Sequence, residues 1–459
     1  MSTAFDDLTL RSELLEGVRQ ASYAQMTPIQ AAALPTMLLG TDVLGQAETG
    51  TGKTAAFALA VLNRIDPSVA HVQAAILCPT RELADQVANE VRRLAQRLAN
   101  TRVLTLCGGR SNRSQVIDLK RGCQIVVGTP GRVLQHLKEA TLCLRRAHTV
   151  VLDEADRMLD MGFSEDVTSI VNRAPKDRQT LLFSATFPDE IKTLSTEIQR
   201  DAQLISVVTE ASVPVTLRQR IVRCEVSERF EVLVDLLAAH RPETVLVFCE
   251  TRDDCAETAK QLQRRGALAQ ALHGNMEQRD RDAVLLQFSN GSLPILVATN
   301  VAARGIDIQA LPLVIITELS KDPQSHLHRV GRTGRAGEMG LAISIVTPRE
   351  RMRLERIEAY MDTTLKVENP PSASGGGLGF LQAQYRTLLI HAGKRDKIRK
   401  GDVLGALIKD GGVPNDAIGK IELQHNSCSV AIRTQYAAKA NHYLKNGRIK
   451  QKKVRARLL

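Results

Sequence analysis

Twice along this chain, short apolar runs too brief for a helix alternate with amphipathic stretches long enough for one. Between about residues 41 and 207 the runs are Gln73–Cys78, Arg102–Leu106, Gln124–Gly128, Thr149–Leu152 and Thr180–Phe183. Strands covered on both faces read as near-continuous apolar runs, and parallel neighbours need a crossover connection. The alternation therefore predicts strand and crossover helix in turn, building a parallel sheet. It restarts between about residues 214 and 367, at Thr244–Phe248, Pro294–Ala298, Leu313–Ile316 and Leu341–Ile345. Two α/β units in tandem are the expectation. With 459 residues, at roughly 100–200 per domain, a further small module has room.

Charge locates that module. The chain carries 61 Lys+Arg against 50 Asp+Glu, net +11, but from Phe380 onward the count is 17 against 5, net +12. Residues 1–379 are therefore close to neutral, at −1. A near-neutral body with a basic appendage points to a polyanion partner, most often nucleic acid, against the plainer reading of a solubilising tail. The Pro, Ser and Gly-rich stretch before the change reads as a linker. The expected organisation is 1–208, 212–367, a flexible linker at 368–380, and 381–459.

Eight cysteines are scattered without a C-x-x-C pair, which indicates neither a zinc site nor a disulfide framework. The opening MSTAFDDLTL has no basic-then-apolar pattern. No apolar run approaches the roughly 20 residues that span a bilayer. No membrane is expected, and the expected compartment is cytoplasmic.

The chemistry begins at Ala47-Glu48-Thr49-Gly50-Thr51-Gly52-Lys53-Thr54, after a predicted strand near Asp42–Gly45 and before a predicted helix over Ala55–Leu62. Glycines allow a tight loop whose N–H groups converge on phosphate oxygens at the helix N-terminus. Lys53 then reaches the β/γ-phosphates and the Thr54 hydroxyl ligates Mg²⁺. Ala47 stands where the usual phosphate-loop pattern has its first Gly. At the end of the run Thr149–Leu152 come Asp153-Glu154-Ala155-Asp156, where ligands of open α/β sheets bind. Asp153 is suited to hold Mg²⁺ through water, and Glu154 to orient or deprotonate an attacking water. Taken singly, the loop is also compatible with a chance helix cap and the acidic cluster with a solvated turn.

Together these residues resemble the DEAD-box RNA helicases of superfamily 2. Thr27-Pro28-Ile29-Gln30, with Tyr23 and Phe5 upstream, is similar to the Q motif, whose Gln reads the adenine edge, and Ala47–Thr54 matches the family's own form of the phosphate loop. Pro79-Thr80-Arg81, Gly108-Gly109 and Thr129-Pro130-Gly131-Arg132 resemble the RNA-contacting segments of its first domain. Ser184-Ala185-Thr186 resembles the segment coupling hydrolysis to strand separation. In the second unit Thr251, Gln278, Arg279 and Thr299 stand at RNA-facing positions, and Asp307 at one touching the nucleotide ribose. His328-Arg329-Val330-Gly331-Arg332-Thr333-Gly334-Arg335 resembles the final motif. There His328 and Arg329 would couple the domains while Arg332 and Arg335 act as arginine fingers. Two departures stand out: Asn300 where the family usually has Asp, and His326-Leu327 in place of Tyr-Ile.

The resemblance implies an α/β architecture of two tandem RecA-like parallel-sheet domains plus a small C-terminal α+β RRM-like domain, with ATP and Mg²⁺ as cofactors. In the last module Asp402 is read as the N-cap of a helix beginning near Gly401, followed by strands at Ile418–Leu423 and Ser427–Ile432 and a helix near Tyr436–Leu444. This resembles the RRM-like domain of DbpA-type helicases, which implies RNA as partner, in particular large-subunit rRNA in pre-ribosomal particles, bound by a monomer or weak dimer. Lys397, Arg399, Lys400, Lys450, Lys452, Lys453 and Arg455 are the candidate RNA contacts. Tyr436 and Tyr443 are open between core and RNA stacking. Two functions fit: an ATP-dependent helicase separating short duplexes during ribosome assembly, or an ATP-gated RNA clamp with little unwinding.

Overall fold

The computed structural model describes residues 3–47, 50–109, 111–207, 217–303, 311–334, 340–372, 378–379, 381–424, 426–450 and 452–459. The chain divides into two compact units, the first holding the described residues up to 207 and the second those from 217 to the C-terminus.

The first unit is built on seven strands: β1 (Val43–Gln46), β2 (Ala74–Leu77), β3 (Val103–Leu106), β4 (Ile125–Gly128), β5 (Thr149–Leu152), β6 (Gln179–Ser184) and β7 (Gln203–Ser206). They form one parallel sheet in the order β3-β4-β2-β5-β6-β1-β7. Alternation along the strands divides the core in two. Val43, Ala74, Ile76, Val127, Val151 and Phe183 face the helices Pro28–Leu38, Lys53–Arg64 and Arg81–Leu94. Ala75, Leu77, Val126, Val150, Leu152 and Leu182 face the opposite layer. With parallel strands, every connecting turn of interest leaves from a carboxyl end: the phosphate loop from β1, the acidic turn from β5, Ser184-Ala185-Thr186 from β6.

The second unit repeats the plan with β8 (Leu217–Arg223), β9 (Val245–Cys249), β10 (Ala269–Leu272), β11 (Ile295–Thr299), β12 (Leu313–Ile316), β13 (Gly340–Val346) and β14 (Val367–Glu368), in the order β10-β11-β9-β12-β13-β8-β14, all parallel. The C-terminal module of the same unit has β15 (Tyr385–Ile390), β16 (Ile418–Leu423), β17 (Cys428–Arg433), a short hairpin of β18 (Arg448–Ile449) and β19 (Lys452–Lys453), and β20 (Ala456–Leu458). Its antiparallel sheet runs β16-β17-β15-β20. Helices Lys400–Gly405 and Thr434–Asn446 contribute to a core of Leu388, Ile390, Val403, Val430, Ile432 and Leu444.

One local expectation is corrected, and two described residues of the segment 368–380 are placed on the second domain. Glu368 closes the edge of the second sheet and pairs with Arg220. Leu378 is fully buried in that unit's core, and its N–H donates to the Arg265 carbonyl at 2.8 Å. Asp402 is not the N-cap. It lies one turn inside the helix, and its carboxylate accepts from the Arg399 N–H at 2.8 Å, so the helix starts at Lys400. The reciprocal bond of a capping box accounts for the shift.

The C-terminal sheet is seated on the second parallel-sheet domain. Fully buried Thr387 on β15 has its hydroxyl 2.9 Å from that of Ser292 and hydrogen-bonded to the Asn290 amide. The Tyr385 ring lies between Gly291 and Gly419, within 3.1–3.6 Å of where a β-carbon at either would stand. On β17 beside it, Ser429 and Ala431 are also buried.

Candidate active site and nucleic-acid interface

Gly50 and Gly52 take left-handed φ values of 88° and 92°, a region open to Gly at little cost. A β-carbon on Gly52 would stand 2.6 Å from the Gln30 amide nitrogen. The loop can therefore pass close beneath the Q segment, where Gln30 accepts from the Thr27 N–H at 2.9 Å and donates to the Gly52 carbonyl at 3.0 Å. Helix Lys53–Arg64 starts at once, so Lys53 and Thr54 are its first two residues. Tyr23 is half-buried, with its hydroxyl donating to Glu90 at 2.7 Å and the Arg93 guanidinium 5.0 Å over its ring. Beside it Phe5, Tyr23, Leu15 and Val18 line a cavity of about 460 Å³ that does not reach the phosphate loop.

Below the loop sit two charges without partners. The Lys53 Nζ and the Asp153 Oδ1 are buried and make no hydrogen bond among the described residues. Burial pushes the Asp153 carboxyl up to about 6, against the downward pull of the Lys53 ammonium. Leaving such groups unpaired costs several kcal/mol, which suits a site completed by a phosphate and a divalent cation. Next along, Glu154 adopts φ 55°, ψ 53°, and its Oε2 accepts from Arg157 Nη1 in an ion pair whose side chains are 6 % and 5 % exposed. Asp156 turns to the neighbouring strand, accepting from the Thr186 N–H at 3.2 Å and hydroxyl at 3.1 Å. Buried Ser184 accepts from the Ala47 N–H at 3.1 Å. One run of bonds thus joins the acidic turn, the Ser-Ala-Thr segment and the start of the phosphate loop.

The polar turns at the ends of β2, β3 and β4 converge. Thr80 caps helix Arg81–Leu94 by accepting from the Leu83 N–H at 3.2 Å. The Arg81 guanidinium lies where a β-carbon on Gly108 would come within 2.8 Å. Buried Gln115 ties two turns together. Its amide donates to the Cys107 carbonyl at 2.9 Å, and its oxygen accepts from Arg132 at 3.3 Å and meets His136 Nε2 at 2.9 Å. Pro79, Thr80, Arg81, Gly108, Gly109, Thr129, Pro130, Gly131 and Arg132 therefore lie on adjoining turns at one end of the sheet.

In the second unit Thr251 caps helix Arg252–Arg264, accepting from the Asp254 N–H at 3.1 Å. Gln278 and Arg279 open helix Gln278–Ser289, and Thr299 ends β11. Arg329 is 2 % exposed. It donates to Glu250 at 2.7 Å and to the Glu318 carbonyl at 3.1 Å, and lies 5.6 Å over the Phe248 ring. His328 lies on the same helix, and Arg332, 5 % exposed, follows it. Burial pushes the imidazole of His326 down to about 4, and neither ring nitrogen has a hydrogen-bond partner among the described residues. Glu48, Thr49, Asp307 and Arg335 lie outside the described residues.

A DEAD/DEAH box helicase model matches residues 27–194, a helicase conserved C-terminal domain model residues 228–337, and a DbpA RNA binding domain model residues 387–458. Over 458 residues, covering 100% of both chains, the sequence is 47% identical to the ATP-dependent RNA helicase DbpA of Escherichia coli (strain K12). The chain belongs to the DEAD/DEAH box helicase family. The DEAD-box ATP-dependent RNA helicase CshA of Geobacillus kaustophilus is 40% identical over 81% of this chain and 79% of its own. Among solved structures, S. cerevisiae Dbp5 bound to RNA and ADP BeF3 aligns at TM-score 0.73 with 32% identity, covering 80% of this chain and 96% of that one.

Seen as a DEAD/DEAH box helicase, the chain shows residues that motif spacing did not single out: Arg157, which holds Glu154, and Gln115, which holds Arg132 and is itself met by His136. Its DbpA-type module also shows where its charge lies. The β18–β19 hairpin is laid on the 394–400 loop, with Lys450 Nζ 3.4 Å from the Lys397 carbonyl and Lys452 Nζ 3.2 Å from that of Asp396. Buried Ile398, Ile449 and Val454 hold the two together, leaving Lys397, Arg399, Lys400, Lys450, Lys452, Lys453 and Arg455 exposed. The Tyr443 hydroxyl donates to the Arg448 carbonyl at 3.2 Å and reaches Asp410 at 3.3 Å, so this ring braces the hairpin. Tyr436 is partly buried against the module's core.

Proposed function

We propose that this protein is an ATP-dependent RNA helicase that separates short duplexes in the cytoplasm, directed by its C-terminal module to large-subunit rRNA in ribosome assembly. The buried Lys53 Nζ and Asp153 Oδ1, without a hydrogen-bond partner among the described residues, carry the ATPase half of this reading. Lys53, Thr54 and Asp153 would hold magnesium–ATP, the cation neutralising charge that develops on the phosphates. Gln30, whose amide donates to the Gly52 carbonyl, would read the adenine. Glu154 orients or deprotonates the attacking water. The bonds from Asp156 to Thr186 and from Ser184 to Ala47 supply a path from nucleotide state to the rest of the first unit. Arg332 stabilises the transferring phosphoryl group from the second unit.

The targeting half is supported by full-length similarity to a chain named DbpA and by the basic hairpin and loop. An ordinary RRM stacks bases on sheet aromatics. Here Thr387, Ser429 and Ala431 occupy that face and are buried, so the exposed basic face is the better RNA surface. Reversing Lys397, Arg399 and Lys400 to Glu in the full chain is expected to abolish any preference for large-subunit rRNA fragments over unrelated RNA. Turnover at saturating unrelated RNA should stay within about twofold, because saturation offsets a weakened electrostatic contact to the phosphate backbone. ATPase titrations with both RNAs decide the matter, and a fragment preference equal to wild type contradicts the targeting proposal.

A further inference from the structure

The three carboxylates of the acidic turn are held in three different ways. Asp153 has an oxygen with no partner, and Asp156 is bonded to Thr186. Glu154 alone is gripped by a side chain of its own helix, Arg157 Nη1, one turn on. That grip is built with some care. The Arg157 N–H donates to Asp156 Oδ1 at 2.9 Å, fixing the start of the helix. The Glu154 backbone is left-handed, a state that is costly for a non-glycine residue and persists only where the surroundings over-determine it. The second terminal nitrogen of Arg157 is buried and has no hydrogen-bond partner among the described residues.

A buried ion pair of this kind adds little net stability. What it supplies is geometry: with one carboxylate oxygen fixed, the other points in a defined direction. We propose that Arg157 is a positioning residue for hydrolysis, holding Glu154 Oε2 so that the remaining oxygen is presented to the attacking water. The inference rests on the reading of Glu154 as the residue that orients or deprotonates that water. Arg157 itself touches neither nucleotide nor water in this account and acts through Glu154 alone.

The test is a double-mutant cycle on the full chain with saturating RNA, reading kcat and KM for ATP and, separately, the Kd of a fluorescent ATP analogue. Arg157→Gln is expected to lower kcat by about 10²-fold, the cost of misplacing a catalytic group by roughly 1 Å, while KM and Kd stay within about twofold. Arg157→Lys keeps the charge without the planar fork and is expected to lose only about tenfold. It decides the matter if R157Q fails to bind nucleotide. In an E154Q background, R157Q should lower residual turnover no further, since two residues acting as one unit are non-additive.

Unchanged or increased kcat in R157Q overturns the proposal, as does an effect confined to KM, or a loss in the E154Q background equal to that in wild type. E154Q alone reports on the underlying reading. Wild-type turnover in that variant defeats the role of Glu154, whereas a dead E154Q beside an unaffected R157Q defeats only the role of Arg157.

Discussion

Arg332→Ala is expected to lower RNA-stimulated ATP turnover by about 10³-fold or more, the range lost with an arginine finger, while the Kd for nucleotide changes little. Arg329 of the final motif is committed within its own unit: its guanidinium meets Glu250, the Glu318 carbonyl and the Phe248 ring. Its removal would leave the half-buried Glu250 carboxylate and the Glu318 carbonyl without that donor and damage the unit itself. Arg332 is anchored through its backbone, its carbonyl accepting from the Leu311 N–H at 3.3 Å, so truncation changes charge without releasing the chain. The transferring phosphoryl group needs positive charge only as it becomes more negative, so the loss belongs in kcat rather than in binding. Equal turnover in wild type and R332A, measured with saturating RNA, would remove Arg332 from the mechanism.

Lys53→Ala should also fall by about 10²–10³-fold in turnover, the loss that follows removal of one preorganised charge stabiliser, but with a different accompaniment. Here nucleotide affinity falls too, because the ammonium meets the phosphates in the bound ground state. Thermal stability should not fall. The Nζ is buried with no hydrogen-bond partner among the described residues, so truncation removes the cost of burying it, and the Asp153 carboxyl, already pushed up to about 6 by burial, can take up a proton in its absence. Activity lost at an unchanged or raised Tm is the signature of a residue kept for chemistry at the expense of stability. A Tm lowered by several degrees would show that Lys53 is structural, and unchanged nucleotide affinity that it does not meet the phosphates.

The strands that the sequence displayed most openly are those buried on both faces. β2, β4 and β5 are apolar along their whole length because helices cover each side of the sheet. β7, an edge strand with only Ile205 buried, and β8, covered on its outer side only by the two residues of β14 and carrying three charged residues in seven, are harder to see, as such positions let polar side chains reach water. β15 is hidden for the opposite reason: Thr387 is a buried polar residue, satisfied only by Asn290 and Ser292 about a hundred positions away. At the site, Lys53, Asp153 and Glu154 were legible because glycine spacing and a strand end dictate where they go. Arg157 was not, since its pairing with Glu154 depends on a left-handed turn that spacing does not reveal. Gln115 was equally silent, an amide whose meaning lies in the two turns it joins.

Steady-state ATP turnover of the full chain tests the account most directly, measured without nucleic acid, with a saturating large-subunit rRNA fragment, and with DNA of the same sequence. The account predicts strong stimulation by the RNA and little by the DNA. Turnover already maximal without nucleic acid, or stimulated equally by DNA, would contradict it.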